Sequence, residues 1–166
     1  MIKKKVCMLG AFAVGKTSLV QRYVNSIFSE KYHTTIGVKI DQKMVEVGGQ
    51  KVNLLLWDIH GEDNFQKVKA SYLMGASGYF IVIDGTRNNT VKVGLELKQM
   101  AEKIVKNAPF IVLINKYDLL ETEWELTEDD VNELKDKGME VMFTSAKENM
   151  GVEEAFMKLT ELMINQ

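Results

Sequence analysis

Short apolar runs alternate with stretches of helical periodicity along the whole chain. Val6 to Leu9 reads as a strand ending at Gly10, and Lys16 to Asn25 as a helix. Val38 to Val47 and Val52 to Ile59 are strand-like runs flanking Gly48-Gly49, a hairpin signal. Asp63 to Met74 predicts a helix, and Gly78 to Ile83 is a continuous apolar strand closed by Asp84. Leu95, Met100, Ile104 and Val105 fit one helix face, and Phe110 to Ile114 reads as a buried strand. Thr127 can cap a helix running to Lys137, with Gly138 as its stop. Val141 to Phe143 predicts a short strand, and Val152, Ala155, Phe156, Leu159 and Leu162 stripe a final helix. This alternation, with one early hairpin, predicts an α/β fold: a mostly parallel sheet with helices on both faces. Such sheets bind ligands beyond the carboxyl ends of their strands, where this chain carries its polar motifs.

Composition narrows the picture. The 166 residues suit one domain spanning 1–166, and 46% hydrophobic against 27% charged residues excludes disorder as the main state. Cys7 is the single cysteine, so there is no intrachain disulfide framework, and a reducing, cytoplasmic setting is expected. The 21 basic residues include only two arginines, Arg22 and Arg87, and the net charge is -2. A nucleic-acid partner finds no dense positive face here. No run is long enough to span a membrane, and the apolar run after Lys3, Lys4 and Lys5 stops at Gly10, too soon for a signal peptide. The ten methionines read as core filler, Cys7 as a small buried hydrophobe, and His33 as a solvated loop residue. The acidic run from Glu121 to Asp130 reads as a solvated face and helix start.

Gly10-Ala11-Phe12-Ala13-Val14-Gly15-Lys16-Thr17 fits G-x-x-x-x-G-K-[ST], between a predicted strand and a predicted helix. Glycines let the backbone curl so that its N–H groups face a phosphate, and the helix adds its positive end. Gly10, Ala13, Val14, Gly15, Lys16, Thr17 and Ser18 are the candidate phosphate holders, mostly through backbone N–H groups. Lys16 supplies a mobile charge for the β- and γ-phosphates, and Thr17 a hydroxyl for Mg²⁺.

Asn115-Lys116-Tyr117-Asp118 follows the strand Phe110 to Ile114. A carboxylate only accepts, so Asp118 suits the guanine N1–H and exocyclic amine and disfavours an adenine edge. That argues against an ATP-dependent kinase. Asn115 can tie this loop to the phosphate loop, and the Lys116 stem can lie over the base. Thr144-Ser145-Ala146-Lys147 follows the next strand, with the Ala146 N–H available to the guanine O6.

In these motifs the chain resembles the Ras superfamily of small GTPases over nearly its whole length. Tyr32-His33-Thr34-Thr35-Ile36-Gly37-Val38, Trp57-Asp58 and Ser71-Tyr72-Leu73-Met74-Gly75-Ala76 are most similar to the Rab branch. The resemblance implies a P-loop NTPase three-layer sandwich: a six-stranded, mostly parallel sheet with one antiparallel strand and helices on both faces. It implies GTP or GDP with Mg²⁺ as cofactors. It implies that Phe28 packs against the guanine, that Ser145, Ala146 and Lys147 border it, and that Thr35 binds Mg²⁺ in the triphosphate state. Asp58 then holds the metal through water, and the Gly61 N–H meets the γ-phosphate. Two loops, Ser29 to Val38 and Ile59 to Met74, change order with that phosphate. Effectors and regulators meet these loops around an exposed cluster of Ile40, Trp57 and Tyr72, where Ile40 stands in place of the family's Phe.

Two residues depart from the family's hydrolytic pattern. Its second switch reads Trp-Asp-Thr-Ala-Gly-Gln-Glu; here it is Trp57-Asp58-Ile59-His60-Gly61-Glu62-Asp63. A Gln amide both donates and accepts, whereas an ionised Glu62 only accepts and sets negative charge beside a polyanion. Phe12 replaces a small residue and crowds both the water-orienting side chain and an arginine finger, which contributes about 10³–10⁵ in rate. Slow hydrolysis follows. Alternatives remain: Phe12 turned away, Glu62 solvated, or His60 orienting the water as a neutral imidazole. A scaffold that stays loaded with GTP and binds effectors without hydrolysis is the second functional reading. The chain ends Leu162-Met163-Ile164-Asn165-Gln166 without a C-a-a-X cysteine, and Met1-Ile2 lacks a myristoylation glycine. The expectation is a monomer without a lipid anchor in this chain.

Overall fold

The computed structural model describes residues 1–29, 35–63 and 67–166. Its strands are β1 (Ile2–Gly10), β2 (Val38–Val47), β3 (Gln50–Ile59), β4 (Gly78–Asp84), β5 (Phe110–Asn115) and β6 (Val141–Phe143). They form one sheet in the order β2-β3-β1-β4-β5-β6. β2 pairs antiparallel with β3, and the remaining pairings are parallel. Gly48 and Gly49 form the two-residue hairpin turn, both at positive φ, and Val47 pairs with Gln50 across it.

Alternate residues of the buried strands feed two cores. On one face Val6, Met8, Phe80, Val82, Ile111 and Leu113 meet the helices α1 (Lys16–Asn25) and α4 (Val152–Ile164). Tyr23 of α1 stacks on Phe156 of α4 with ring centroids 3.9 Å apart. On the other face Cys7, Leu9, Tyr79, Ile81, Val112 and Ile114 meet α2 (Asn89–Ile104) and α3 (Glu128–Asp136). Thr127 caps α3 in a reciprocal capping box with Asp130. The fold is the α/β sandwich anticipated from the strand–helix alternation.

Three expectations need correction. The buried face of α2 is Thr90, Gly94, Leu97 and Ala101, while Leu95, Met100 and Ile104 sit at its margin. Small residues face the sheet because the helix lies close to it. Residues 67–69 and the single 3-10 turn Ala70–Leu73 replace the described part of the helix expected from Asp63 to Met74. This stretch buries only Val68 and Leu73, too few apolar anchors to hold a longer helix against the core. The methionines do not all fill the core: Met8, Met139 and Met163 are buried, but Met1, Met44, Met74, Met150 and Met157 are exposed. The readings that involve residues 30–34, His33 among them, and residues 64–66 lie outside the described residues.

A Cβ on Gly94 would stand 2.9 Å from Ile81 Cγ2, inside normal contact. Gly94→Val therefore pushes α2 off β4 and is expected to cost about 1–3 kcal/mol by urea denaturation. The exposed Gln99→Ala stays within about 0.5 kcal/mol of wild type.

Candidate functional site

The carboxyl ends of β1, β3 and β5, with the loop after β6, surround a cleft of about 420 Å³. Phe12, Ala13, Gly15, Lys16, Thr17 and Ser18 line its floor, and Asn115, Lys116, Asp118, Ala146 and Lys147 one end. Phe28, Ser29, Thr35, Gly61 and Leu119 complete the wall. Of the other candidates, Gly10, Val14, Asp58, His60, Glu62 and Ser145 stand behind this surface.

The loop between β1 and α1 is held from behind, one carbonyl after another. Lys16 Nζ donates to Gly10 O at 3.3 Å and to Ala11 O at 3.1 Å. Arg87 Nη2 donates to Phe12 O at 2.7 Å, Lys116 Nζ to Ala13 O at 3.1 Å, and Asn115 Nδ2 to Val14 O at 3.0 Å. With its carbonyls engaged, the loop is free to turn N–H groups toward the cleft, and α1 begins directly behind them. Gly15 sits at φ +103°, where a Cβ would lie 2.3 Å from Asn115 Nδ2. The glycine lets the amide close on the loop.

At the other end, Ser145 Oγ donates to Asp118 Oδ1 at 2.8 Å, and Thr144 Oγ1 to Asn115 Oδ1 at 3.0 Å. Arg22 fixes the same loop from α1, donating to Ala146 O at 2.7 Å and Lys147 O at 2.9 Å. The Asp118 carboxylate keeps acceptor capacity for a donor edge, and Phe28 is half-buried on the same wall.

Thr17 Oγ1 donates to Asp58 Oδ2 at 2.7 Å and lies 2.7 Å from Thr35 Oγ1. Asp58 Oδ1 is buried without a hydrogen-bond partner among the described residues. Burial raises the Asp58 pKa against the Thr17 hydrogen bond and the charge of Lys16. Two hydroxyls and a carboxylate with an orphaned oxygen are a hard-oxygen donor set that fits Mg²⁺, which completes its shell with water and phosphate. Burial lowers Lys16 to about 8, Asp58 opposing and Arg87 reinforcing the shift.

Glu62 turns from the cleft, its Oε1 accepting the Val68 N–H at 3.1 Å. Its backbone pairs with the phosphate loop, Glu62 N–H donating to Gly10 O and Phe12 N–H to Glu62 O, both at 3.1 Å. His60 is buried, with Nδ1 3.3 Å from Gly61 O and its ring edge-on to Tyr72. Phe12 is 39% exposed and is among the residues that line the cleft. Ile40 is exposed and pairs across the hairpin with Trp57. Trp57 and Tyr72 are half-buried, and Lys5 Nζ lies 3.6 Å above the Trp57 ring. Trp57 and Tyr72 are thus less exposed than expected, with Lys5 covering the Trp57 ring, while Ile40 is exposed.

The sequence motifs do not include Asp84 and Arg87. Asp84 is fully buried; its Oδ1 accepts from Thr86 N–H and Oγ1, and its Oδ2 from Arg87 Nε and Lys116 Nζ. An acid closing an apolar strand, with one of two arginines three residues later, was the available signal.

The Ras family model matches residues 5–165. The chain is 38% identical to Ras-related protein Rab-32C of Dictyostelium discoideum over 98% of this chain and 74% of that protein. It is 34% identical to Ras-related protein Rab-21 of the same organism over 96% of this chain and 76% of that protein. Identity to human Ras-related protein Rab-12 is 33% over 96% of this chain and 66% of that protein.

Burial raises the Asp84 pKa, but the hydrogen bonds from Lys116 and Thr86 and the Lys116 charge outweigh it, leaving it below 3.8. A depressed carboxyl pKa stabilises the fold above the unfolded value, and that contribution disappears as pH falls through the folded one. The urea-stability gap between wild type and Asp84→Asn should be full at neutral pH and shrink below about pH 4.

Proposed function

The chain belongs to the Ras family and is Rab-like, and we propose that residues 1–166 form one G domain that switches between GTP and GDP with Mg²⁺. The observation that carries this reading is one cleft with a back-braced phosphate loop at its floor and an acceptor-only carboxylate at its end. In this reading Asp118 accepts from the guanine N1–H and amine, the Ala146 N–H donates to O6, and Phe28 and the Lys116 stem sandwich the ring. The N–H groups of residues 13–18 hold the phosphates, with Gly10 shaping the loop. Lys16 leaves the Gly10 and Ala11 carbonyls for the β- and γ-oxygens. Thr17, Thr35 and Asp58 hold Mg²⁺, which neutralises charge on those oxygens. Thr35 and Gly61 reach the γ-phosphate only in the GTP state, and this orders the loops around them. Effectors then read the face around Ile40, Trp57 and Tyr72.

Hydrolysis in this reading is slow. The water-orienting position carries Glu62, which has no donor to offer the transferred phosphoryl group and binds the Val68 N–H. Phe12 occupies the cleft where an arginine finger would enter. The second reading, a GTP-loaded scaffold, is favoured by these same two observations. Among the described residues no helix is long and apolar enough to cross a membrane. The proposed setting is the cytoplasm, as a monomer.

Two experiments test the reading. Calorimetry with Mg²⁺ should show GDP binding and Asp118→Ala weakening it about tenfold to a hundredfold, the loss of a charge-assisted hydrogen bond. Equal affinity of wild type for ADP contradicts guanine selection. In single-turnover hydrolysis, Glu62→Gln should be about tenfold faster than wild type, the effect of one hydrogen bond to charge. Phe12→Gly should also be faster, and His60→Ala close to wild type. A Glu62→Gln rate no higher than wild type contradicts the inhibitory role of Glu62. Copurified GTP supports the scaffold, and copurified GDP the hydrolase.

A further inference from the structure

Asp84 is a branch point. Its Oδ2 receives Arg87 Nε at 3.0 Å and Lys116 Nζ at 2.8 Å. Each of these cations reaches one further acceptor, and the two acceptors are consecutive: Phe12 O for Arg87 and Ala13 O for Lys116. Thr86 fills Oδ1 through its N–H at 2.9 Å and its hydroxyl at 2.6 Å, so the carboxylate cannot rotate without losing four bonds. Lys116 belongs to the base-recognition motif, but Arg87 belongs to none.

The loop that carries Arg87 is itself braced. Arg87 N–H donates to Asp84 O at 3.0 Å, and Thr90 Oγ1 to Arg87 O at 2.8 Å. Asn88 N–H donates to Glu125 Oε1 at 2.8 Å, and Gly85 O accepts from the N–H groups of Glu125 and Leu126. The Trp124 ring lies on Gly85, where a Cβ would be 2.1 Å from it. The guanidinium therefore acts from a fixed base on a residue 75 positions away.

We propose that Arg87 is a positioning residue for nucleotide retention. Its planar fork bridges Asp84 and the Phe12 carbonyl, and turns that carbonyl away from the phosphates. Residue 12 then cannot flip an oxygen toward the polyanion. Arg87 acts on the loop rather than on the γ-phosphate, so GDP and GTP are retained alike. The inference rests on the guanine-nucleotide reading.

The test is stopped-flow release of fluorescent GDP, and of a fluorescent non-hydrolysable GTP analogue, in Mg²⁺, with thermal melts of each variant. Arg87→Ala should release both about tenfold faster or more, the effect of one charge-assisted hydrogen bond. Arg87→Lys, a point charge without the fork, should fall between the two. Glu102→Ala removes an exposed ion pair with Lys98 on α2, away from the Arg87 loop and the phosphate loop, and should release at the wild-type rate. Unchanged release from folded Arg87→Ala, or faster release of the GTP analogue alone, overturns the proposal and leaves the guanine reading intact. Should Arg87→Ala not fold, unchanged release from Arg87→Lys overturns it. Failure of the wild type to hold either nucleotide overturns both.

Discussion

The phosphate loop keeps its amides available because side chains hold its carbonyls. Between residues 10 and 14 every carbonyl has a side-chain donor: Lys16 for the first two, then Arg87, Lys116 and Asn115. Ala11 and Val14 anchor the loop in the core, but two apolar contacts do not choose which way each of its peptides faces. Four donors from α1, the loop after β4 and the end of β5 make that choice. Three of the four are cations, and two of these, Arg87 and Lys116, share the Asp84 carboxylate.

The sheet order makes this bracing possible. β1 lies between β3 and β4, with β5 beyond β4, so the loop leaving β1 is flanked by the ends of its neighbours. Asp58 closes in from β3, Asp84 from β4 and Asn115 from β5. Asn115 also receives Thr144, whose neighbour Ser145 orients Asp118. The base end and the phosphate end of the cleft are therefore joined through the buried Asn115 amide and through Lys116, which donates to Ala13 O.

Much of this was legible in the chain. The hairpin and the buried strands were visible because period-two and continuous apolar runs are local signals. The phosphate and base motifs were visible because their spacing is short. The face of α2 was misjudged because Gly94 and Ala101 mark a close approach that bulkier neighbours conceal in a hydrophobicity pattern. The Arg87–Phe12 bond was invisible because a side chain meeting a distant carbonyl leaves no trace in residue type. Phe12 and Glu62 were readable as departures. That Glu62 accepts the Val68 N–H, six residues on, is a contact that no residue type signals.

The most direct measurement is an amide NMR titration of the ¹⁵N-labelled protein with Mg²⁺-GDP, and separately with Mg²⁺-ADP. The backbone amides of Ala13, Gly15, Lys16, Thr17 and Ser18 should shift to saturation with GDP at equimolar ligand, and stay in place with the same amount of ADP. Amides that ignore GDP, or that answer both nucleotides equally, contradict a braced anion cradle coupled to a guanine-selecting carboxylate.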